Sequence, residues 1–201
     1  VSAPLFGLVL AGGRSVRMGR PKAGLRYRDE DQAHYLTGLL GSVCEGAWLS
    51  VGADPASGAE FGDLPILRDR DPGLGPAAGL LAAWDRLPEA AWLVAAVDLP
   101  FLDRPAVERL AGARDPAKAA TAALNPDSLL PEPLFAVYEP AFRAHLEAAA
   151  AAGRPGLAGV LARLRNRGEG PGVALVRFKD ARVLRDVDTR EEYRLLSGGV
   201  A

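Results

Sequence analysis

Apolar residues in this chain come in short, nearly unbroken runs. Leu5-Phe-Gly-Leu-Val-Leu10 and Trp92-Leu-Val-Ala-Ala-Val97 are apolar throughout, which predicts strands buried on both faces of a parallel sheet. Residues 47–51, 64–68, 119–124, 134–138, 172–178 and 183–187 predict further strands. The spacing of Leu36, Leu39, Leu40 and Val43 predicts a helix over 32–43. Helices are also expected over 77–87, from Pro105 in a first turn to about residue 113, and over 141–151, 157–165 and 189–196. Residues 23–28 read as a short strand or an ordered turn. This alternation predicts an α/β fold with a mostly parallel sheet covered on both faces.

Length and charge narrow the class. With 201 residues, one domain over 1–201 is expected. A formal net charge of −1 lacks the basic excess of a nucleic-acid binder. No apolar run reaches membrane-spanning length, and the first residues lack the charged-then-apolar order of a signal peptide. The single cysteine, Cys44, excludes an internal disulfide framework, so a reducing, cytoplasmic setting is expected. Cys44 itself reads as core filler. Only three of the 24 basic residues are lysines, which makes Lys22 in a glycine-rich loop conspicuous.

The chemistry is expected at strand ends, where ligands of α/β sheets collect. The first strand runs into Leu10-Ala-Gly-Gly-Arg-Ser-Val-Arg-Met-Gly-Arg-Pro-Lys22. Glycines there let backbone N–H groups approach phosphate, and Arg14, Arg17 and Lys22 supply positive charge. The spacing of Gly12, Gly13 and Gly19 fits neither GxxxxGK[ST] nor GxGxxG, which points away from P-loop kinases and dinucleotide dehydrogenases. Asp98 follows the most apolar strand and suits Mg²⁺, whose shell phosphate oxygens and waters complete; its bland alternative is a cap for the segment at 102–104. In Asp186-Val-Asp188-Thr189, strand alternation puts both carboxylates on one face, and either could be the second metal contact. Asp188 or Thr189 also suits the N-cap of the last helix. The loop Gly73-Leu-Gly-Pro-Ala-Ala-Gly79 can admit a base or ribose, with Asp69 just before it as a hydrogen-bond acceptor.

Leu10-Ala-Gly-Gly-x-Ser-x-Arg-Met-Gly-x-x-Lys22 resembles the signature of the molybdenum cofactor guanylyltransferases, the MobA-like nucleotidyltransferases. Gly75-Pro-Ala-Ala-Gly79, Asp98-Leu-Pro-Phe101, Pro133-Leu-Phe-Ala-Val-Tyr138 and Asp186-Val-Asp-Thr189 follow in the family's order. The resemblance implies a three-layer αβα, Rossmann-like nucleotidyltransferase fold. It implies transfer of GMP from GTP to molybdenum-bearing molybdopterin with release of pyrophosphate. By the same resemblance Leu10, Ala11 and Gly12 contact nucleotide, joined by a residue within Ser50 to Gly52 and by Asp69; Gly13, Arg14, Gly75 and Gly79 are added from the chemistry of the two glycine loops. It gives Lys22 to the phosphates and Asp98 to Mg²⁺; Arg17 joins them as a catalytic candidate from its charge in the loop, and Asp188 as a second Mg²⁺ ligand from the late motif. GTP, molybdopterin and proteins that insert the finished cofactor are the implied partners; nucleic acid and membrane are not. Family members using CTP resemble Ala-Ala-Gly where this chain has Ala11-Gly12-Gly13, which favours GTP. The rival readings are a cytidylyltransferase or sugar-phosphate nucleotidyltransferase of the same fold, and a non-catalytic nucleotide-binding assembly module.

Overall fold

The computed structural model describes residues 2–12, 22–69, 71–167, 171–187 and 189–196. Among them, seven strands form one sheet in the order β3-β2-β1-β4-β6-β5-β7. They are β1 Leu5–Leu10, β2 Ala47–Val51, β3 Ile66–Arg68, β4 Ala91–Ala96, β5 Ala120–Leu124, β6 Pro131–Tyr138 and β7 Val173–Val176. The helices are α1 Gln32–Gly41, α2 Pro76–Arg86, α3 Arg104–Gly112, α4 Pro140–Ala151, α5 Leu157–Arg167 and α6 Arg190–Leu196. Every pairing is parallel except those of β6, which runs antiparallel to β4 and β5.

Alternation along the central strands splits the core in two. Val9, Leu49, Leu93 and Phe135 meet Leu36 and Leu40 of α1 and Val107 and Leu110 of α3. Leu8, Trp92 and Val94 meet Leu80 and Trp84 of α2, Phe142 of α4 and Leu161 of α5. The sheet is therefore the middle layer of an αβα sandwich, as expected. All of β4 is buried because it is covered on both faces. A smaller cluster, Leu25, Val187 and Tyr193, seats α6 against the segment after Lys22, and the Tyr193 hydroxyl donates to the Arg26 carbonyl at 3.0 Å.

Two strands differ from expectation. β6 begins at Pro131, earlier than the expected residue 134. Pro131 and Pro133 lack the N–H that a central ladder needs, so the sequence reads as loop. The structure accommodates them because the β4 pairing starts only at Phe135 and the β5 register shifts between Ala122 and Ala123. Residues 183–187, expected as a strand, form no ladder. A 3-10 turn, Ala181–Leu184, is capped by Asp180, whose carboxylate accepts the Arg182 N–H at 3.0 Å. Val183, Leu184 and Val187 are apolar because they are buried, not because they alternate in a sheet.

At the N-terminus of α1 an imidazole stands between two carboxylates. Asp31 caps the helix, and His34 bridges it to Asp63, with Nδ1 2.8 Å from Asp31 and Nε2 3.0 Å from Asp63. The bond to Asp31 and then that to Asp63 hold the imidazole above its ordinary value of 6.5, against the opposing pull of burial. A raised folded-state pKa contributes stability that is fully present below the unfolded value and lost as pH rises through the folded one. Urea unfolding of wild type and His34→Ala should therefore differ at about pH 6, with the gap closing by about pH 9. A gap independent of pH would show that the pair acts through packing alone.

Candidate functional site

The chain runs β1, β2, β3 toward one sheet edge and then places β4 on the other side of β1, so the strand order reverses between β1 and β4. A crevice opens outside the carboxyl ends of strands at such a switch point. Backbone bonds tie those ends into one continuous rim. The Ala11 N–H donates to the Ser50 carbonyl at 2.8 Å, Val97 N–H to Leu10 at 3.2 Å, and Asp69 N–H to Val51 at 2.9 Å. The cleft above this rim measures about 230 Å³ and is lined by Leu10, Ala11, Gly12, Lys22, Ser50, Asp69, Gly75, Gly79 and Asp98. All of these were expected at the site. Pro76, Ala96, Val97 and Leu134 complete the lining and were not.

Gly52 lies at the end of β2 outside that lining; a side chain there would meet Ser57 Oγ at 3.3 Å. Gly13, Arg14, Arg17 and Asp188, also expected at the site, lie outside the described residues.

Lys22 opens a 3-10 turn, Lys22–Gly24, and its Nζ stands 3.6 Å from Asp98 Oδ2. The two side chains are only 15% and 23% exposed, so cation and carboxylate face each other at the mouth of the cleft in a setting drier than the surface. Asp98 does not cap α3. Asp103 does that, accepting the Ala106 N–H at 2.9 Å.

On the opposite wall, Ser50 is 1% exposed and donates to Asp69 Oδ1 at 2.6 Å. Burial pushes the Asp69 carboxyl up, and the Ser50 bond offsets part of the rise. Two glycines make this wall possible by close approach. A Cβ on Gly12 would sit 2.5 Å from Asp69 Oδ2, and one on Gly79 would overlap Ser50 Oγ. Gly79 thus lets α2 press on the strand ends, while Gly75, at φ 57°, makes the turn into that helix.

Glu132 was missed by the sequence reading. The β4–β6 register brings the start of β6 to the edge where β4 ends. Burial pushes the Glu132 carboxyl up; bonds from the Leu134 N–H and the Asn125 side chain oppose the rise, and the charges of Asp98 and Asp186 add to it. The motif read as Pro133 to Tyr138 begins one residue after it. Asp186 joins the same edge through its neighbour, since the Val187 N–H donates to the Asp98 carbonyl at 3.0 Å. Asp186 itself is exposed. Thr189 caps α6 in a capping box, its Oγ1 accepting the Glu192 N–H while Glu192 accepts the Thr189 N–H. Cys44 lies away from the cleft, and burial pushes its thiol up to about 12, as suits core filler.

The family model of the MobA-like NTP transferase domain matches residues 7–168. The chain belongs to the MobA-like NTP transferase family. Over 151 residues this MobA-like chain is 40% identical to a molybdenum cofactor guanylyltransferase of Rhizobium johnstonii, a match covering 72% of this chain and 68% of that protein. Over 137 residues it is 37% identical to a molybdenum cofactor biosynthesis bifunctional protein of Synechocystis. That match covers 68% of this chain but spans only 40% of the relative's length. The crystal structure of molybdopterin-guanine dinucleotide biosynthesis protein A from Archaeoglobus fulgidus has the same fold, with a TM-score of 0.74 at 20% identity over 96% of this chain and 97% of that one.

Proposed function

We propose that this MobA-like domain is a molybdenum cofactor guanylyltransferase, transferring GMP from GTP to molybdenum-bearing molybdopterin and releasing pyrophosphate. The observation that carries the proposal is the Lys22–Asp98 pair at the switch-point cleft, with Ser50 and Asp69 across from it. The similarity to the Rhizobium enzyme supports the choice of substrates. The described residues act as one nucleotidyltransferase domain in this reading. No described helix is long and apolar enough to cross a membrane. We assign the reaction to the cytoplasm, upstream of proteins that insert the finished cofactor.

The terminal phosphate of molybdopterin is already an anionic nucleophile, so the site needs alignment and charge compensation rather than a strong general base. Lys22 neutralises phosphate oxygens as the α-phosphorus is attacked. The rim at Leu10, Ala11 and Gly12 holds the nucleotide close to backbone, and Asp69, oriented by Ser50, accepts hydrogen bonds from the base or ribose. Arg14 and Arg17 are assigned to the phosphates from the sequence signature.

Oxygen donors fit the proposed Mg²⁺. Asp98 lines the cleft, and Mg²⁺ typically takes one or two carboxylates and completes its shell with phosphate oxygens and water. Asp98 would hold it, with Asp186 or Asp188 as the second carboxylate. Bound there, Mg²⁺ would act as a Lewis acid on the phosphate oxygens.

A thermal-shift series with GTP, CTP, ATP and UTP, each with Mg²⁺, tests the base preference. The largest rise in Tm is expected with GTP, since at equal concentration L the nucleotide with the lowest Kd stabilises most, by RT ln(1 + L/Kd). A larger shift with CTP would move the assignment to a cytidylyltransferase. Nucleotide binding without pyrophosphate release from GTP plus molybdopterin would favour a non-catalytic module.

A further inference from the structure

The turn after Asp98 holds itself together weakly. Its own backbone bonds, Leu99 N–H to Ala96 and Leu102 N–H to Leu99, are long at 3.3 and 3.4 Å. Its carbonyls are instead claimed by one distant segment. Arg28 Nη2 donates to Pro100 at 2.7 Å, Gln32 Nε2 to Leu99 at 3.2 Å, and the Tyr35 hydroxyl to Leu102 at 2.8 Å. The Arg28 guanidinium also lies over the Tyr35 ring at 3.7 Å, which stiffens two of the three donors.

Gln32 stands apart because it is 1% exposed and bonds in both directions. Its N–H donates to the Leu25 carbonyl at 2.8 Å, and the Leu25 N–H in turn donates to the Lys22 carbonyl at 3.1 Å. Its side chain reaches the residue next to Asp98. A buried amide costs free energy that an apolar side chain of the same size avoids, unless it is hydrogen-bonded, and here Nε2 meets the Leu99 carbonyl.

We propose that Gln32 is a positioning residue that fixes Asp98 relative to Lys22. Its contribution to turnover rests on the guanylyl transfer proposed above. Gln32 touches neither substrate nor reacting atoms; it links the Lys22 turn to the Asp98 turn through a short bonded path. Arg28 and Tyr35 hold the same turn farther from the carboxylate, so their removal disturbs Asp98 less.

The test compares Gln32→Met, which keeps the side-chain length but not the donor, with Tyr35→Phe, which removes one bond from the far end of the turn. The chain has only Lys22, Lys118 and Lys179, so a ¹³C-labelled lysine spectrum is simple, and Lys22→Arg assigns the Lys22 signal. In Gln32→Met the Lys22 signal should move toward its position in Asp98→Asn, while in Tyr35→Phe it should stay in place. With GTP and molybdopterin, Gln32→Met should lower kcat about ten-fold or more with KM for GTP little changed, because small misplacements act on the transition state. Tyr35→Phe should keep kcat within about two-fold at a comparable loss of Tm. An unmoved Lys22 signal in Gln32→Met, or kcat losses in both variants that simply follow Tm, would overturn the proposal. A moved signal in a chain whose wild type releases no pyrophosphate would support the positioning and overturn the transfer reaction instead.

Discussion

Asp98→Ala and Lys22→Ala should each lower pyrophosphate release from GTP and molybdopterin by about a hundred-fold or more, while the protein stays folded. The two groups face each other at 3.6 Å at the mouth of the cleft, where each compensates charge that changes during transfer. The cap of α3 is Asp103, and the turn after Asp98 is held through carbonyls that alanine leaves in place. Each side chain of the pair is less than a quarter exposed, so removing one leaves a largely buried charge without this counter-charge and is expected to lower stability. Tm should therefore fall, while activity collapses far beyond what that fall explains. Because both side chains act on the same phosphates, the double variant should lose much less than the product of the single losses. Near-normal turnover in either single variant would sink the assignment of the site.

Gly79→Ala carries the next largest expected effect, and it acts on the opposite wall. The new Cβ would overlap Ser50 Oγ and lie 2.9 Å from Leu10 Cδ2 and 3.1 Å from Ser50 Cβ. Ser50 cannot swing away without giving up its 2.6 Å bond to Asp69, so either α2 lifts from the sheet or Asp69 is released. Overpacking of this kind costs about 1–3 kcal/mol. Alanine's better helix propensity returns up to ~1 kcal/mol, so the net sign is destabilising. GTP should then give a clearly smaller thermal shift, by more than the loss of Tm alone explains. Adding Ser50→Gly removes one obstruction but leaves the Leu10 contact and takes away the Asp69 partner, so it should relieve only part of the overpacking and should not recover the nucleotide shift. Wild-type Tm together with a full GTP shift in Gly79→Ala would refute this account of the wall.

Much of this arrangement is visible in the chain itself, and the exceptions share a physical cause. The all-apolar runs 5–10 and 92–97 identify the two central strands, because burial on both faces leaves no polar position to mislead. Once those strands are placed, Gly12, Lys22, Ser50, Asp69 and Asp98 gather at one edge as a matter of topology. Glu132 and the early start of β6 escape because Pro131 and Pro133 disguise a strand whose register is irregular at that end. Residues 183–187 mislead in the other sense: their apolar positions answer to burial against the core, which a strand pattern imitates. Gln32 enters the sequence reading only as the first residue of a helix. Its meaning lies in a carbonyl 67 residues away, and no local pattern encodes such a partner.

The segment from Val187 to Tyr193 touches both poles of the site. Val187 bonds the backbone of Asp98, and Tyr193 braces the stretch beyond Lys22. Both residues lie past residue 168, where the family match ends. Neither residue lines the cleft, yet each ties down one side of it. Substitution at either is therefore expected to loosen the spacing of the charged pair without removing any group that faces the nucleotide.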